Sequence, residues 1–367
     1  MHYNQEDLFR LAKRYQNTKR SYLLVNPLQA KHLAVEPCRA LEMMGTLGQK
    51  LYQKYPEAKL IIGFAETATA IGMYSARQFP DDVQYLHTTR ETLSGECLNF
   101  QEEHSHAVNQ RLYLHDNLPE TKEIILIDDE ISTGKTIRNM VKQIRQELPI
   151  YRDTKFIAGS IINRVSEENL KLMEQENIYC ECLCKLENID YSAQMEQIQV
   201  DAPEELPFTE AKPYTTIIAG KRLLESRKLN TVEEYWVSSY IFARTVAEQI
   251  QSQIADKKNI LVIGTEECMH PALALGEALA EKNWSVKCHA TTRSPIGISQ
   301  AENYPIQNGY ALPSFYDSSR KTYIYNIDKT AEAVLIITDS QADTAPAMQT
   351  LSNLFPDSEK ILIQIKG

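Results

Sequence analysis

Short, uninterrupted apolar runs recur along the whole chain, and they constrain its fold more than any other feature. In the first half of the 367 residues they are KLIIGFA, VQYLHTT, RLYLHD, EIILIDD and KFIAGSIIN; in the second half they are NILVIGTEE, SVKCHATT, KTYIYNI, AVLIITDS and KILIQIKG. Segments with helical periodicity separate them, for example those that open at Pro37, after Gly134 and at Thr231. Because continuous apolar runs between helices are typical of parallel strands buried on both faces, we predict an α/β fold.

The two halves of the sequence also resemble each other. LIIG ends at Gly63 and LVIG ends 201 positions later, at Gly264. The tripeptide TTR ends at Arg90 and again 203 positions later, at Arg293. Unrelated α/β domains would share apolar runs but not this tripeptide, so we predict a duplicated domain. The predicted boundaries are a first domain over 1–197, a proline-containing linker over 198–216 and a second domain over 217–367.

Composition narrows the class of protein. The formal net charge is −10, which argues against general binding of nucleic acid. The chain has no apolar run long enough for a bilayer, and its first residues lack the apolar core of a signal peptide, so we expect no membrane association. Seven cysteines without paired spacing predict a cytoplasmic protein. The run YCECLC fits a strand better than a metal site, because no further ligands follow nearby.

The stretch EIILIDDEISTGKTIRNM carries the strongest chemical signal. Its apolar run ends on Asp128 and Asp129, and ligands of open α/β sheets collect at the carboxyl ends of strands. Adjacent carboxylates accept hydrogen bonds from neighbouring hydroxyls, such as those of a ribose. The loop that follows contains Ser132, Thr133, Gly134 and Thr136, and it opens a helix whose N-terminal amides favour phosphate. Together these features predict a site for a ribose 5-phosphate.

Two other phosphate or metal motifs explain this stretch less well. A P-loop that ends in GKT would need glycine at position 129, which is Asp129, so that motif is excluded. A carboxylate pair that binds only a metal ion would leave the hydroxyl-rich loop without a role.

The stretch from Ile124 to Thr136 resembles the signature of type I phosphoribosyltransferases, in particular the orotate phosphoribosyltransferase-like ones. The resemblance implies two Rossmann-like domains with mainly parallel sheets, phosphoribosyl pyrophosphate as substrate and Mg²⁺ as cofactor near Asp128 and Asp129. It assigns those two residues to the ribose hydroxyls. It assigns the 5-phosphate to the loop residues Ser132, Thr133, Gly134, Lys135 and Thr136.

The same resemblance points to two further segments. Within IIGFAETATAIG, it implies that Ala65, Glu66 and Thr67 contact pyrophosphate; a simple strand-to-helix turn is the alternative. Residues 87–110 correspond to a mobile loop that closes over the substrate, where Thr88 and Thr89 precede Arg90. A guanidinium there suits the departing pyrophosphate. Three residues of EEHSHA are candidates for proton transfer or are exposed polar residues of a hairpin: Glu103, His104 and His106.

The second half departs from the signature. RLYLHDNLPETKEIILIDD, which ends at Asp129, aligns without a gap with KTYIYNIDKTAEAVLIITD, which ends 210 positions later at Asp339. This offset places Thr338 and Asp339 at the positions of the two acids and replaces STGKT by ADTAP, so we expect no binding of the same sugar phosphate. TRSP, at 292–295, resembles a bacterial domain named for this tetrapeptide and found beside such transferases in tellurium-resistance and stress gene clusters. We therefore predict a degenerate copy with a candidate site at Thr292, Arg293 and Ser294, unless the tripeptide is an inherited strand end.

The predicted function is transfer of a 5-phosphoribosyl group to a base-like nitrogen nucleophile with release of pyrophosphate, within nucleotide metabolism. One alternative is a non-catalytic sensor of phosphoribosyl pyrophosphate or a nucleotide that regulates a partner. Another is a hydrolase or phosphorylase that runs related chemistry in reverse. The expected partners are phosphoribosyl pyrophosphate and a base that the sequence does not identify. We also expect a homodimer, or an intramolecular pseudo-dimer in which the second half acts as a built-in partner subunit.

Overall fold

The computed structural model describes residues 3–17, 21–101, 109–113, 117–206, 212–219 and 223–366. The chain forms two compact units that alternate along the sequence. The first unit comprises Met1–Gln5, Leu41–Ile189 and Leu224–Val237; the second comprises Glu6–Ala40, Asp190–Leu223 and Ser238–Gly367. The predicted domains 1–197 and 217–367 are each continuous, and their boundaries stay a prediction.

The strands of the described residues are short and mostly buried. In chain order they are β1 Arg10–Lys13, β2 Tyr22–Val25, β3 Leu60–Gly63, β4 Gln84–His87, β5 Cys97–Gln101, β6 Asn109–Tyr113, β7 Glu123–Ile131, β8 Lys155–Asn163, β9 Ile178–Lys185, β10 Glu204–Glu205, β11 Thr215–Ala219, β12 Asn230–Thr231, β13 Asn259–Gly264, β14 Ser285–Ala290, β15 Gly309–Pro313, β16 Lys321–Tyr325, β17 Ala333–Thr338 and β18 Glu359–Ile365.

The helices alternate with these strands. They are α1 Gln5–Leu8, α2 Pro37–Lys54, α3 Ala68–Ala76, α4 Lys135–Glu147, α5 Glu167–Gln175, α6 Ser192–Glu196, α7 Val232–Ile250, α8 Met269–Ala280 and α9 Ala345–Leu354, with a 3₁₀ turn at Pro149–Tyr151. Within the described ranges, no helix combines the length and apolar character needed to cross a bilayer.

The first unit is built on one six-stranded sheet in the order β12-β4-β3-β7-β8-β9. All neighbouring pairs are parallel except β12 with β4. Its central strands are continuous apolar runs because helices cover both faces of a parallel sheet. The predicted α/β class is confirmed by this arrangement.

The second unit contains an all-parallel sheet in the order β11-β18-β17-β13-β14. Four of its strands, β14-β13-β17-β18, have the same chain order and arrangement as β4-β3-β7-β8. The registers agree as well: Leu60 lies opposite Ile124, and Leu261 lies opposite Val334. Leu261 follows Leu60 by 201 positions and Val334 follows Ile124 by 210 positions, and both are offsets of the sequence repeat.

The signature strand is longer than predicted. β7 continues past the two acids to Ile131, because β8 runs beside it as far as Asn163. The loop that follows therefore has three residues, 132–134, before α4 begins at Lys135. Asp128 and Asp129 are therefore followed in the strand by Glu130 and Ile131, and they are not its last residues.

The cysteine run forms β9, as predicted, at the edge of the first sheet. Cys184 is buried, whereas Cys180 and Cys182 are partly exposed, so the expected single buried face is incomplete. Burial raises the pKa of the Cys180 thiol to about 11. A thiol with this pKa is a poor nucleophile and a poor metal ligand at neutral pH, because both roles need the thiolate.

Candidate functional site

Three acids emerge from the core at the end of β7. The preceding residues, 124–127, are fully buried, and Asp128, Asp129 and Glu130 are partly exposed. The amide of Asp129 donates to Oδ1 of Asp128 at 2.8 Å. Because burying an unpaired carboxylate is costly, a charged run of this kind belongs at the rim of the sheet, where a ligand reaches it.

The third acid has a role within the protein. Oε1 of Glu130 lies 3.2 Å from Nη1 of Arg164, and the arginine side chain is only 3% exposed. Nη2 of Arg164 also donates to the carbonyl of Ile189 at 2.6 Å. This ion pair fixes the end of β7. Sequence reasoning missed Arg164, although it directly follows the predicted strand KFIAGSIIN.

The loop after β7 has the geometry of an anion site. Gly134 is the N-cap of α4 with φ of +77°, and Oγ1 of Thr133 accepts from the amide of Lys135 at 3.3 Å. A Cβ at this position would come within 2.5 Å of Sδ of Met173. The turn thus needs glycine, and the first amides of a helix favour an anion through their dipoles. Around the turn, Ser132, Thr133 and Thr136 are partly exposed and Lys135 is exposed.

The turn after β3 is held by a closed set of hydrogen bonds. The amide of Ala65 donates to Oγ1 of Thr88 at 2.9 Å, and the Thr88 hydroxyl donates to Oε1 of Gln110. Nε2 of Gln110 donates to the carbonyl of Ala65 at 2.7 Å, which closes the set. The peptide bond between Ala65 and Glu66 is cis. Gln110 was not among the predicted site residues, because its partners lie far from it in the sequence.

Charged side chains meet between the turns after β3 and β4. Nη1 of Arg90 lies 3.8 Å from Oε2 of Glu66, whose side chain is 2% exposed. Nη1 of Arg111 donates to the carbonyl of Arg90 at 3.0 Å. Nε of Arg227 donates to Oγ1 of Thr89 at 3.2 Å. Thr67, at the start of α3, is also buried.

The order of the sheet brings these segments to one edge. β3 lies between β4 and β7, and all three run parallel. The amide of Phe64 donates to the carbonyl of Ile127, and the amide of Thr88 donates to that of Gly63, both at 2.9 Å. The two acids, the Ala65–Thr67 turn and the Thr88–Arg90 turn therefore share the carboxyl end of one sheet, where α/β proteins bind ligands.

The candidate proton-transfer residues Glu103, His104 and His106 lie outside the described residues. The strands on either side of them, β5 and β6, form an antiparallel hairpin.

The donor set suits a magnesium ion that arrives with a phosphorylated substrate. Among the described residues, no group of three or more His, Cys, Asp or Glu side chains is arranged to hold a metal ion. Mg²⁺ usually takes one or two carboxylates, several waters and substrate phosphates. Asp128 and Asp129 supply two adjacent carboxylates of this hard, oxygen-donor type.

A family model described as phosphoribosyl transferase matches residues 8–188, and one described as TRSP domain C terminus to PRTase_2 matches residues 239–354. The chain is a phosphoribosyltransferase-family protein with a TRSP domain. The predicted resemblance to phosphoribosyltransferases in the first half and to the TRSP domain in the second is confirmed by these two matches. Among curated proteins, none matches the chain.

Solved structures similar to this phosphoribosyltransferase-family protein include three adenine phosphoribosyltransferases. The enzyme from Rhodothermus marinus has 12% identity and a TM-score of 0.36, with 49% of this chain and 96% of that chain covered. The Giardia lamblia enzyme has 13% identity and a TM-score of 0.36, with 49% and 95% covered. The Trypanosoma brucei enzyme has 12% identity and a TM-score of 0.38, with 49% and 77% covered.

The TRSP domain has a comparable turn with different side-chain partners. The amide of Glu266 donates to Oγ1 of Thr291 at 3.0 Å, as the amide of Ala65 does to Thr88. The Glu266 carboxylate is fully buried and is bound by Nε of Arg293, Nη2 of Arg320 and the hydroxyl of Ser314. Protein groups therefore already satisfy the charge of this glutamate.

The remaining predicted residues of the TRSP domain are also engaged. Thr292 forms an antiparallel bridge with Tyr323, and the carbonyl of Ser294 accepts from the hydroxyl of Tyr325 at 2.8 Å. The hydroxyl of Tyr316 donates to Oδ1 of Asp339, the residue at the offset position of Asp129. Whether Thr292, Arg293 and Ser294 bind a ligand stays a prediction.

Proposed function

We propose that this chain transfers the 5-phosphoribosyl group of phosphoribosyl pyrophosphate to a base-like nitrogen nucleophile and releases pyrophosphate. One observation carries the proposal: two partly exposed carboxylates near the end of β7 are followed, after a short hydroxyl-rich loop, by a left-handed glycine that opens a helix. This pairing matches the two ends of a phosphorylated sugar, because the diol donates hydrogen bonds and the phosphate accepts them. Membership of the phosphoribosyltransferase family supports the same substrate.

Binding is assigned to the ends of β7 and α4. Asp128 and Asp129 accept hydrogen bonds from the 2- and 3-hydroxyls of the ribose. The first amides of α4 and the hydroxyls of Ser132, Thr133 and Thr136 donate to the 5-phosphate. The turns at 65–67 and 88–90 then face the pyrophosphate at the anomeric carbon.

In the reaction, the bond between the anomeric carbon and pyrophosphate breaks with its electron pair on the leaving oxygen. A nitrogen of the acceptor supplies the electron pair of the new bond and loses its proton to solvent. Arg90 stabilises the negative charge that grows on the pyrophosphate, and the fixed Ala65 turn holds that group in place. When bound beside Asp128 and Asp129, Mg²⁺ would neutralise further phosphate charge.

We also propose that the second unit is a degenerate copy of the first. The shared order of four strands and the preserved registers support duplication. Tyr316 on Asp339 and the two arginines on Glu266 occupy groups that a sugar phosphate would need. Pro346 lies in the first turn of α9 and lacks an amide hydrogen. We therefore expect no binding of the same substrate by this unit.

The test is a screen of the full chain for pyrophosphate release from phosphoribosyl pyrophosphate with a panel of heterocyclic bases and Mg²⁺. Asp128→Asn combined with Asp129→Asn removes both charges while keeping the side-chain shape. Glu123→Gln is the matched control, because Glu123 lies at the other end of β7, where it pairs with Lys155.

Base-dependent release by the wild type and by Glu123→Gln, but not by the double variant, supports the proposal. Tight binding of phosphoribosyl pyrophosphate without release for any base supports the sensor function instead. Equal binding by the wild type and the double variant would show that the site is wrongly assigned.

A further inference from the structure

A segment between the two family matches completes the first unit. Residues 224–237 follow the phosphoribosyltransferase match, which ends at 188, and precede the TRSP match, which starts at 239. They nevertheless belong to the first compact unit. Within them, β12 pairs antiparallel with β4, and the amide of Val232 donates to the carbonyl of Val83 at 2.8 Å. The segment thereby adds an edge strand to the sheet that carries the site.

The same segment continues past the end of β4 to the site. The amide of His87 donates to the carbonyl of Ser226 at 3.0 Å, and the Ser226 hydroxyl lies 2.7 Å from Nε2 of His87. Next, Nε of Arg227 donates to Oγ1 of Thr89 at 3.2 Å. The Arg227 residue is only 5% exposed. A guanidinium from outside the matched domain is thus built into the turn that carries Arg90.

Positive charge is concentrated at this turn. Arg227 contacts Thr89, Arg90 follows it, and Arg111 donates to the carbonyls of Arg90 and Glu91. Oε2 of Glu66 lies 3.8 Å from Nη1 of Arg90. Guanidinium forks match phosphate oxygens in geometry, so a turn that gathers these arginines suits a diphosphate group.

We propose that Arg227 is a positioning residue for the pyrophosphate end of the substrate. It holds the Thr89 side chain, and so the direction of Arg90, and it adds positive charge behind that turn. This inference rests on the proposed function, because it assigns the pyrophosphate to the same site. It also implies that a chain cut after residue 197 or 216 lacks part of the site.

The experiment measures binding of two separate probes to the full chain by calorimetry: Mg²⁺-pyrophosphate and ribose 5-phosphate. Arg227→Gln removes the charge and the Nε donor, whereas Arg227→Lys keeps only the charge. Lys228→Gln is the matched control, because Lys228 is a neighbouring cation whose side chain is 68% exposed and pairs with Glu225. We expect Arg227→Gln to weaken pyrophosphate binding about tenfold and ribose 5-phosphate binding by less than about twofold, the loss expected for one charge-assisted interaction. Arg227→Lys should give an intermediate loss, and Lys228→Gln no loss.

A purely structural role predicts a different pattern. In that case Arg227→Gln would lower the melting temperature and weaken both probes equally, and this result would overturn the inference. If Arg227→Gln does not fold, Arg227→Lys decides: a loss confined to pyrophosphate supports the inference, and unchanged binding of both probes overturns it.

Failure of the proposed function gives a separate result. If the wild type binds ribose 5-phosphate through Asp128 and Asp129 but Arg227→Gln binds pyrophosphate normally, only this inference is wrong. If the wild type binds neither probe, the proposed function and this inference fall together.

Discussion

Replacing Gly134 by alanine tests the geometry of the anion-binding turn. The residue has φ of +77°, and an added Cβ would lie 2.5 Å from Sδ of the buried Met173. A left-handed conformation costs a non-glycine residue about 1–2 kcal/mol. Overpacking adds about 1 kcal/mol here, the low end of its usual range, because methionine adapts its shape readily. We therefore expect Gly134→Ala to lower the free energy of unfolding of the first unit by about 2–3 kcal/mol.

The two tryptophans make the assay specific to one unit. Trp236 lies in the first unit and Trp284 in the second, so in a Trp284→Phe background the urea dependence of fluorescence reports the first unit. The control is Gly45→Ala in α2, where the nearest atom to an added Cβ is 3.5 Å away. We expect that substitution to stabilise the unit by about 0.5–1 kcal/mol, as is usual for glycine to alanine within a helix.

The same substitution should also shift the first amides of α4 and weaken binding of ribose 5-phosphate. A Gly134→Ala protein with wild-type stability and wild-type affinity for ribose 5-phosphate would refute the described turn and its assignment to the phosphate.

Two further predictions concern buried ionisable side chains. Burial lowers the pKa of His289 to about 4, and its neutral ring is satisfied, with Nδ1 accepting from the Ala290 amide and Nε2 donating to the Tyr325 carbonyl. Below pH 6.5 the unfolded chain gains a proton at this histidine that the folded chain does not. The free energy of unfolding of the second unit should therefore fall by up to about 3 kcal/mol between pH 6.5 and 4. Urea unfolding measured across this pH range should give a flatter profile for His289→Gln, and an unchanged profile would contradict the prediction. Arg164→Met leaves Glu130 without its buried arginine partner and should lower the free energy of unfolding of the first unit by about 3 kcal/mol. The same Trp236 fluorescence measures this loss, and a loss below about 1 kcal/mol would argue against the ion pair.

Features with a local physical cause were predictable from the sequence. All ten apolar runs contain strands. Eight of these strands lie in the two mainly parallel sheets, where burial on both faces requires apolar residues at successive positions, whereas β6 and β16 pair antiparallel outside those sheets. The helices that open at Pro37, after Gly134 and near Thr231 are likewise confirmed. Asp128 and Asp129 are partly exposed, as expected for carboxylates that follow a buried run, and their role in binding a ligand stays a prediction.

Features set by distant contacts were not predictable. β12 has two residues and no apolar run, and only its pairing with β4 makes it a strand. Gln110 and Arg227 look ordinary in the sequence, since their roles come from Ala65, Thr88 and Thr89.

The division into units has a similar explanation. Residues 6–40 belong to the second unit although they lie between two segments of the first unit in the chain. Their apolar side chains, among them Ala12, Leu23 and Val25, pack with Ile296 and Tyr304. Apolar residues alone do not specify a partner, so the sequence carried no signal for this arrangement.

The central claim is that a phosphorylated ribose is held between the two acids of β7 and the start of α4. A crystal structure of the full chain soaked with ribose 5-phosphate and Mg²⁺ tests it most directly. We expect the ribose hydroxyls on Asp128 and Asp129 and the phosphate on the amides after Gly134. Density for the sugar at another place, with these two carboxylates turned onto protein cations, would contradict the account.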